Sequence, residues 1–135
     1  MITPYLNFDG RCDEALEFYK KAIGAEVEML LRFHQSPEPN PDCPVPPENA
    51  NKVMHVSVRV GDARFMASDC DCEGKTQFQG VTLALYASDP DQAEKYFQGL
   101  SDGGQVTMPL AKTFFSPCFG MLTDRFGVSW MVIVQ

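Results

Sequence analysis

Several things are missing from this chain, and each absence removes a class of protein. No apolar run in the 135 residues approaches the ~20 needed for a membrane-spanning helix, so no membrane partner is expected. Basic residues are scarce: Lys and Arg number 11 against 18 Asp and Glu, a formal net charge of −7. Phosphate backbones are bound by clustered Lys and Arg, and the longest basic run here is Lys20-Lys21, so nucleic acid is not an expected partner. The opening residues Met1-Ile2-Thr3-Pro4-Tyr5 have neither the basic nor the apolar region of a signal peptide. Cysteines are few and odd in number (Cys12, Cys43, Cys70, Cys72 and Cys118), which fits reduced thiols in a cytoplasm better than a disulfide framework. Cys70-x-Cys72, though flanked by Asp69, Asp71 and Glu73, lacks the second pair or histidine partner of a zinc site. There is no Walker pattern, no Ser/His/Asp set, and no Gly-rich strand-turn-helix to hold a nucleoside cofactor.

What the chain does have is a repeat. Asp13-Glu14-Ala15-Leu16-Glu17-Phe18-Tyr19 reappears in outline as Asp91-Gln92-Ala93-Glu94-Lys95-Tyr96-Phe97, each copy following an apolar, strand-like run. Both copies end at glycine, Gly24 and Gly103-Gly104, before Ala25-Glu26-Val27 and Gly104-Gln105-Val106. Arg64-Phe65-Met66 matches Ser129-Trp130-Met131 at a shorter offset, because the first half carries extra residues in between. Two related modules with one insertion imply a paired architecture.

Local patterns give the elements. Ile2 to Phe8 reads as a strand, with Ile2, Pro4, Leu6 and Phe8 on one face and Thr3, Tyr5 and Asn7 on the other. A helix over 11–23 buries Cys12, Ala15, Leu16, Tyr19, Ala22 and Ile23, carries acids in its first turn and stops at Gly24. Glu26 to Phe33 is the next strand. Residues 35–51 hold six prolines and form a long loop. Val53 to Val60 alternates, with Met54, Val56, Val58 and Val60 facing one way and His55, Ser57 and Arg59 the other. A Gly61-Asp62 turn leads into Ala63 to Asp69, and 70–80 is polar linker. In the second half, Val81 to Ala87 precedes a helix announced by Asp89-Pro90-Asp91-Gln92, with Ala93, Tyr96, Phe97 and Leu100 as its apolar stripe. Gln105–Leu110, Phe119–Thr123 and Val128–Val134 read as strands, with Trp130 beneath the helix beside Val128, Val132 and Val134.

The order β-α-β-β-β, twice, with Pro4-Tyr5-Leu6-Asn7-Phe8-Asp9-Gly10, Glu14 to Tyr19, Val53-Met54-His55 through Ser68-Asp69, and Phe119 to Met131, resembles the vicinal oxygen chelate superfamily of glyoxalase I, bleomycin-resistance proteins and dioxygenases. Within it the match is to the PhnB-like group, some of whose members carry a 3-demethylubiquinone methyltransferase label. The resemblance implies an α+β fold: two βαβββ modules, 1–75 and 80–135, together one compact domain whose curved, cup-like mixed sheet has its helices outside. It also implies a small-molecule ligand in the cup, often with a divalent metal, and a homodimer. The superfamily's metal positions fall near Thr3, Met66, Thr82 and Met131, none a histidine or carboxylate, so no metal or other cofactor is expected, although the resemblance keeps a divalent metal open.

His55 is the chief chemical candidate. If the apolar face of its strand packs under a helix, His55, Ser57 and Arg59 point into the cup, where imidazole and guanidinium suit a polar or anionic ligand and His55 could act as general base. Its bland alternative is a histidine that merely bonds a neighbour on a polar sheet face. Tyr5, Asn7, Phe33 and Tyr86 are candidate lining residues, although aromatics at strand spacing are more often plain core. Asp69 is a candidate ligand contact or, more simply, a strand-end cap. His34 reads as a solvated loop residue, Cys12 as core. The function expected is binding of a small organic molecule; the alternative is a metal-dependent or His55-dependent enzyme of lyase, isomerase or dioxygenase type. Elemental analysis of protein purified without chelator is expected to show no stoichiometric Ni, Mn, Fe or Zn, and one metal per chain lost in His55→Ala would establish the metalloenzyme instead. Light scattering at micromolar concentration is expected to give the mass of a dimer.

Overall fold

A computed structural model of the chain describes residues 1–35, 47–69 and 77–135. The elements are β1 (Tyr5–Asn7), α1 (Cys12–Ile23), β2 (Glu26–Arg32), β3 (Val53–Val60) and β4 (Ala63–Ser68), then β5 (Thr82–Ala87), α2 (Pro90–Ser101), β6 (Gln105–Ala111), β7 (Cys118–Thr123) and β8 (Ser129–Val134). Short 3-10 turns at Phe33–Gln35 and Pro47–Asn49 flank the proline loop, whose residues 36–46, like the linker residues 70–76, lie outside the described residues. The fold is α+β, with β-α-β-β-β occurring twice, and the chain divides into two compact units, Met1–Lys20 with Gly24–Thr76 and Lys21–Ile23 with Gln77–Gln135.

The first sheet has the order β1-β4-β3-β2, with β1 and β4 parallel and the other pairs antiparallel. One face is apolar: Leu6, Val56, Val58, Phe65 and Ala67 are buried, and Tyr19 of α1 meets Phe65 edge-on at a centroid distance of 6.0 Å. The first strand is shorter than the sequence pattern suggests. Ile2 is fully exposed and pairing begins only after Pro4, whose carbonyl accepts from the Met66 N–H while its own nitrogen has no hydrogen to donate. β3 carries a second correction. Its pairing with β2 slips between Leu31 and Arg32, leaving Met54 as an unpaired extra residue. Val53, not Met54, therefore joins Val56, Val58 and Val60 in the core, and Met54 is only half-buried.

The second sheet repeats the topology as β5-β8-β7-β6. Trp130, Val132 and Val134 are buried with Ala93, Phe97 and Leu100 of α2. Gly120 stands where Phe97 presses on the sheet: a Cβ there would come within 2.7 Å of the phenyl ring and 3.1 Å of the Leu110 backbone nitrogen. Asp124 closes the β7–β8 turn, accepting from the N–H groups of Phe126 and Val128 and from the Trp130 indole at 2.8 Å.

The two helices are capped by different means. Asp89 caps α2 locally, accepting from Gln92 N at 2.8 Å, while Gln92 Oε1 accepts from Ser88 N at 2.7 Å. The residue before α1, Arg11, has no capping side-chain bond. Asp69, fully buried at the end of β4, serves instead: one oxygen accepts from Gly10 N (2.9 Å) and Cys12 N (2.8 Å), the other from Val53 N (2.9 Å). In Asp69→Ala those three N–H groups lose their acceptor, at about 1–3 kcal/mol for each buried group left unsatisfied. Asp89→Ala removes an exposed cap worth about 1 kcal/mol. Urea unfolding is expected to rank Asp69→Ala well below Asp89→Ala, and equal midpoints would refute the tie.

Candidate functional site

The face of the first sheet opposite α1 holds four of the eight predicted residues, Tyr5, His55, Ser57 and Arg59. Strand alternation and the pairing register put Tyr5, Met66, Ser57 and Met29 in one row across the four strands. His55 lies one step along β3, opposite Leu31, and Arg59 one step the other way, opposite Glu26 and Arg64.

Tyr5 and His55 meet although their strands are not neighbours. β4 lies between them, and the phenol reaches across it to bring Tyr5 Oη to 3.2 Å from His55 Nδ1, with ring centroids 5.7 Å apart. Tyr5 is half-exposed and His55 half-buried, so the pair lies at a surface rather than in the core. With the phenol donating, Nδ1 is the acceptor and Nε2 carries the imidazole hydrogen.

Arg59 already has a partner on the sheet. Its guanidinium forms an ion pair with Glu26, and its neighbour Arg64 holds Glu28 through bonds of 2.7 and 3.3 Å. Hydrogen bonding from Arg64 keeps the Glu28 carboxyl below the ordinary range. Two arginines side by side are thus each matched by a glutamate of β2, a pattern invisible before the register of β2 is known. Ser57 sits between Met66 and Met29.

The remaining candidates fall elsewhere. Asn7 shares β1 with Tyr5 but turns its oxygen to the Asp9 N–H at 2.9 Å. Phe33 stands in the 3-10 turn after β2 and is half-buried, and His34 beside it is exposed. Asp69 is consumed by the backbone donors described above. Tyr86 is exposed on β5, in the other unit, paired with Ile133. Cys12 is buried, and burial first, then the charges of Asp69 and Asp13, push its thiol far up, so it is an inert core residue. Cys70 and Cys72 lie outside the described residues.

The metal question turns on donor chemistry. Among the described residues no group of three or more His, Cys, Asp or Glu is placed to hold an ion. Thr3, Met66, Thr82 and Met131 offer hydroxyls and thioethers, a poor match for a hard divalent cation. Thr82 pairs with Ser129, whereas Met131 pairs with Ala84.

The phenol–imidazole bond can be read directly. In long-range proton–nitrogen NMR of the neutral imidazole, His55 is expected as the Nε2–H tautomer, and Tyr5→Phe is expected to relax it to a mixture. An unchanged nitrogen spectrum in Tyr5→Phe would mean that the phenol does not set the tautomer.

Comparison with known proteins bears on the chain as a whole. The sequence model described as 3-demethylubiquinone-9 3-methyltransferase matches residues 1–133. Protein PA1353 from Pseudomonas aeruginosa is 38% identical, with a TM-score of 0.82 over 100% of this chain and 97% of that one. The PhnB protein from Bacillus cereus, which carries the same methyltransferase name, is 26% identical with a TM-score of 0.78 over 99% and 98%. A glyoxylase/bleomycin resistance protein/dioxygenase domain from Frankia sp. EAN1pec shares the fold alone, at 11% identity and a TM-score of 0.65 over 98% and 93%.

Proposed function

Since the chain belongs to the 3-demethylubiquinone-9 3-methyltransferase family, the PhnB-like group of the vicinal oxygen chelate superfamily, we propose that it binds a small organic ligand on the first sheet's face opposite α1, with the Tyr5–His55 pair as its polar anchor. The observation that carries the reading is the hydrogen bond made across β4. A half-exposed phenol holding a half-buried imidazole offers a directional donor and acceptor, while Leu31, Met29 and Met66 supply apolar area around it. A few placed polar groups among apolar ones is the usual composition of a small-molecule site. Arg59 contributes to an anionic ligand only by exchanging its bond to Glu26, so the anchor is the pair and not the guanidinium.

Binding is favoured over catalysis because of what surrounds the imidazole. A general base is normally oriented by an acid and aimed at a nucleophile or substrate proton. Here the neighbour on Nδ1 is a phenol and not an acid. Methyl transfer, the reaction in the family's name, draws no support from the sequence, which lacks a Gly-rich nucleoside-binding turn.

A thermal-shift screen of small metabolites, followed by titration of the hits, tests the proposal. His55→Ala is expected to weaken a hit by about 1.5–3 kcal/mol, the worth of one hydrogen bond to a charged group, and to leave the unfolding midpoint of the free protein nearly unchanged. Hits indifferent to both His55→Ala and Tyr5→Phe would move the site elsewhere. Turnover of a bound compound that vanishes in His55→Ala would make the protein an enzyme.

A further inference from the structure

The second sheet's face opposite α2 has a different chemistry from the first. Its pairing register aligns Ala84, Met131, Met121 and Met108 across β5, β8, β7 and β6, so three thioethers stand in consecutive positions of one row. The rows on either side are Thr82, Ser129, Thr123 and Gln105, and Tyr86, Ile133, Phe119 and Ala111. None of the three rows contains a charged side chain, a histidine or a cysteine.

Met108 owes its place to an irregularity in the backbone. From Gln105 and Val106 the regular pairing of β6 with β7 would set Thr107 opposite Met121, but the register shifts between Val106 and Met108 and puts the methionine there instead. The same shift occurs in the first sheet between Val27 and Met29, where it sets Met29 rather than Glu28 opposite Ser57. Bulges re-aim side chains, and this one brings a methionine into the row in both modules. Only the second module has a methionine, Met121, at the centre.

We infer that Met108, Met121 and Met131 form a site for a soft monovalent cation of the Cu(I) and Ag(I) class. Residues directly opposite in neighbouring strands have Cβ atoms about 4.5–5.5 Å apart. The outer two methionines therefore flank the central one closely enough for flexible thioether arms to converge on a single ion. Thioethers are neutral, soft donors that select Cu(I) and bind hard divalent ions poorly, and no carboxylate or imidazole in these rows competes for a harder metal. The donors are accessible: Met108 is 46% exposed, and Met121 and Met131 are half-buried. The mismatch between thioether donors and a hard divalent ion thus has a positive reading on this sheet, and that reading does not depend on the Tyr5–His55 site.

Silver, which is redox-inert, is the probe. After accessible thiols are capped with iodoacetamide, Ag(I) is titrated into protein labelled at the methionine methyl carbons. The methyl signals of Met108, Met121 and Met131 are expected to shift together and saturate at one ion per chain, with those of Met1 and Met29 unmoved. Met121→Leu, which keeps the side-chain volume, is expected to weaken Ag(I) at least tenfold while leaving the unfolding midpoint within a few degrees. Met29→Leu is expected to leave Ag(I) affinity unchanged. Shifts spread over all exposed methionines, or affinity indifferent to Met121→Leu, would overturn the site. Shifts produced by 1-naphthoate but not by Ag(I) would overturn it too, making the row an apolar wall.

Discussion

A single buried carboxylate organises the first module. Asp69 directly follows β4, yet its oxygens bind the turn before α1, the first residue of α1 and the first residue of β3, segments far apart in the chain. A buried charge is costly unless it is satisfied by directed donors, and the three backbone N–H groups supply that here while losing their own unmet demand. The backbone N–H of Asp69 returns a bond to the Val53 carbonyl at 2.8 Å, so β3 is held at its start from both sides. Fixing the start of β3 also fixes which way its side chains point: the bulge at Met54 comes one residue later, and His55 takes the face opposite α1 immediately after.

That face works by reaching over a strand. The Tyr5 ring crosses β4 to the imidazole, which requires β1 to pair in parallel with β4 at the register Tyr5 to Met66. A one-residue slip would turn Tyr5 toward the core and remove the bond. The charged residues on the same face form pairs between β2 and the β3–β4 hairpin, which stitch an edge strand to its sheet. Exposed pairs of this kind add little stability, so their effect is on register and on the local field.

The two modules share topology and a repeated bulge but diverge in chemistry. The first presents a phenol, an imidazole and paired charges, the second a methionine row flanked by hydroxyls and rings. The repeat is legible in the residues because helix caps, glycine stops and apolar periods are local properties. The divergence between the faces is legible only in part. The alternation of His55, Ser57 and Arg59 could be read directly, but Glu26 and Glu28 as partners of Arg59 and Arg64 could not, since cross-strand neighbours depend on register and a bulge changes register by one. Asp69 was visible as a strand end, and its engagement with a helix start 57 residues earlier in the chain was not.

The sequence alone determined the α+β class, the doubled β-α-β-β-β order and the cap of α2, because each is specified by residues within one or two turns of one another. It also determined that His55 sits opposite the apolar face of its strand. The tertiary structure alone decided that Tyr5 is the partner of His55, that Asp69 caps α1 and Glu26 occupies Arg59, and that three methionines share a row. Each of these depends on which residue of one strand lies across from which residue of another, a quantity fixed by packing and bulges over the whole sheet and written in no single segment of the chain.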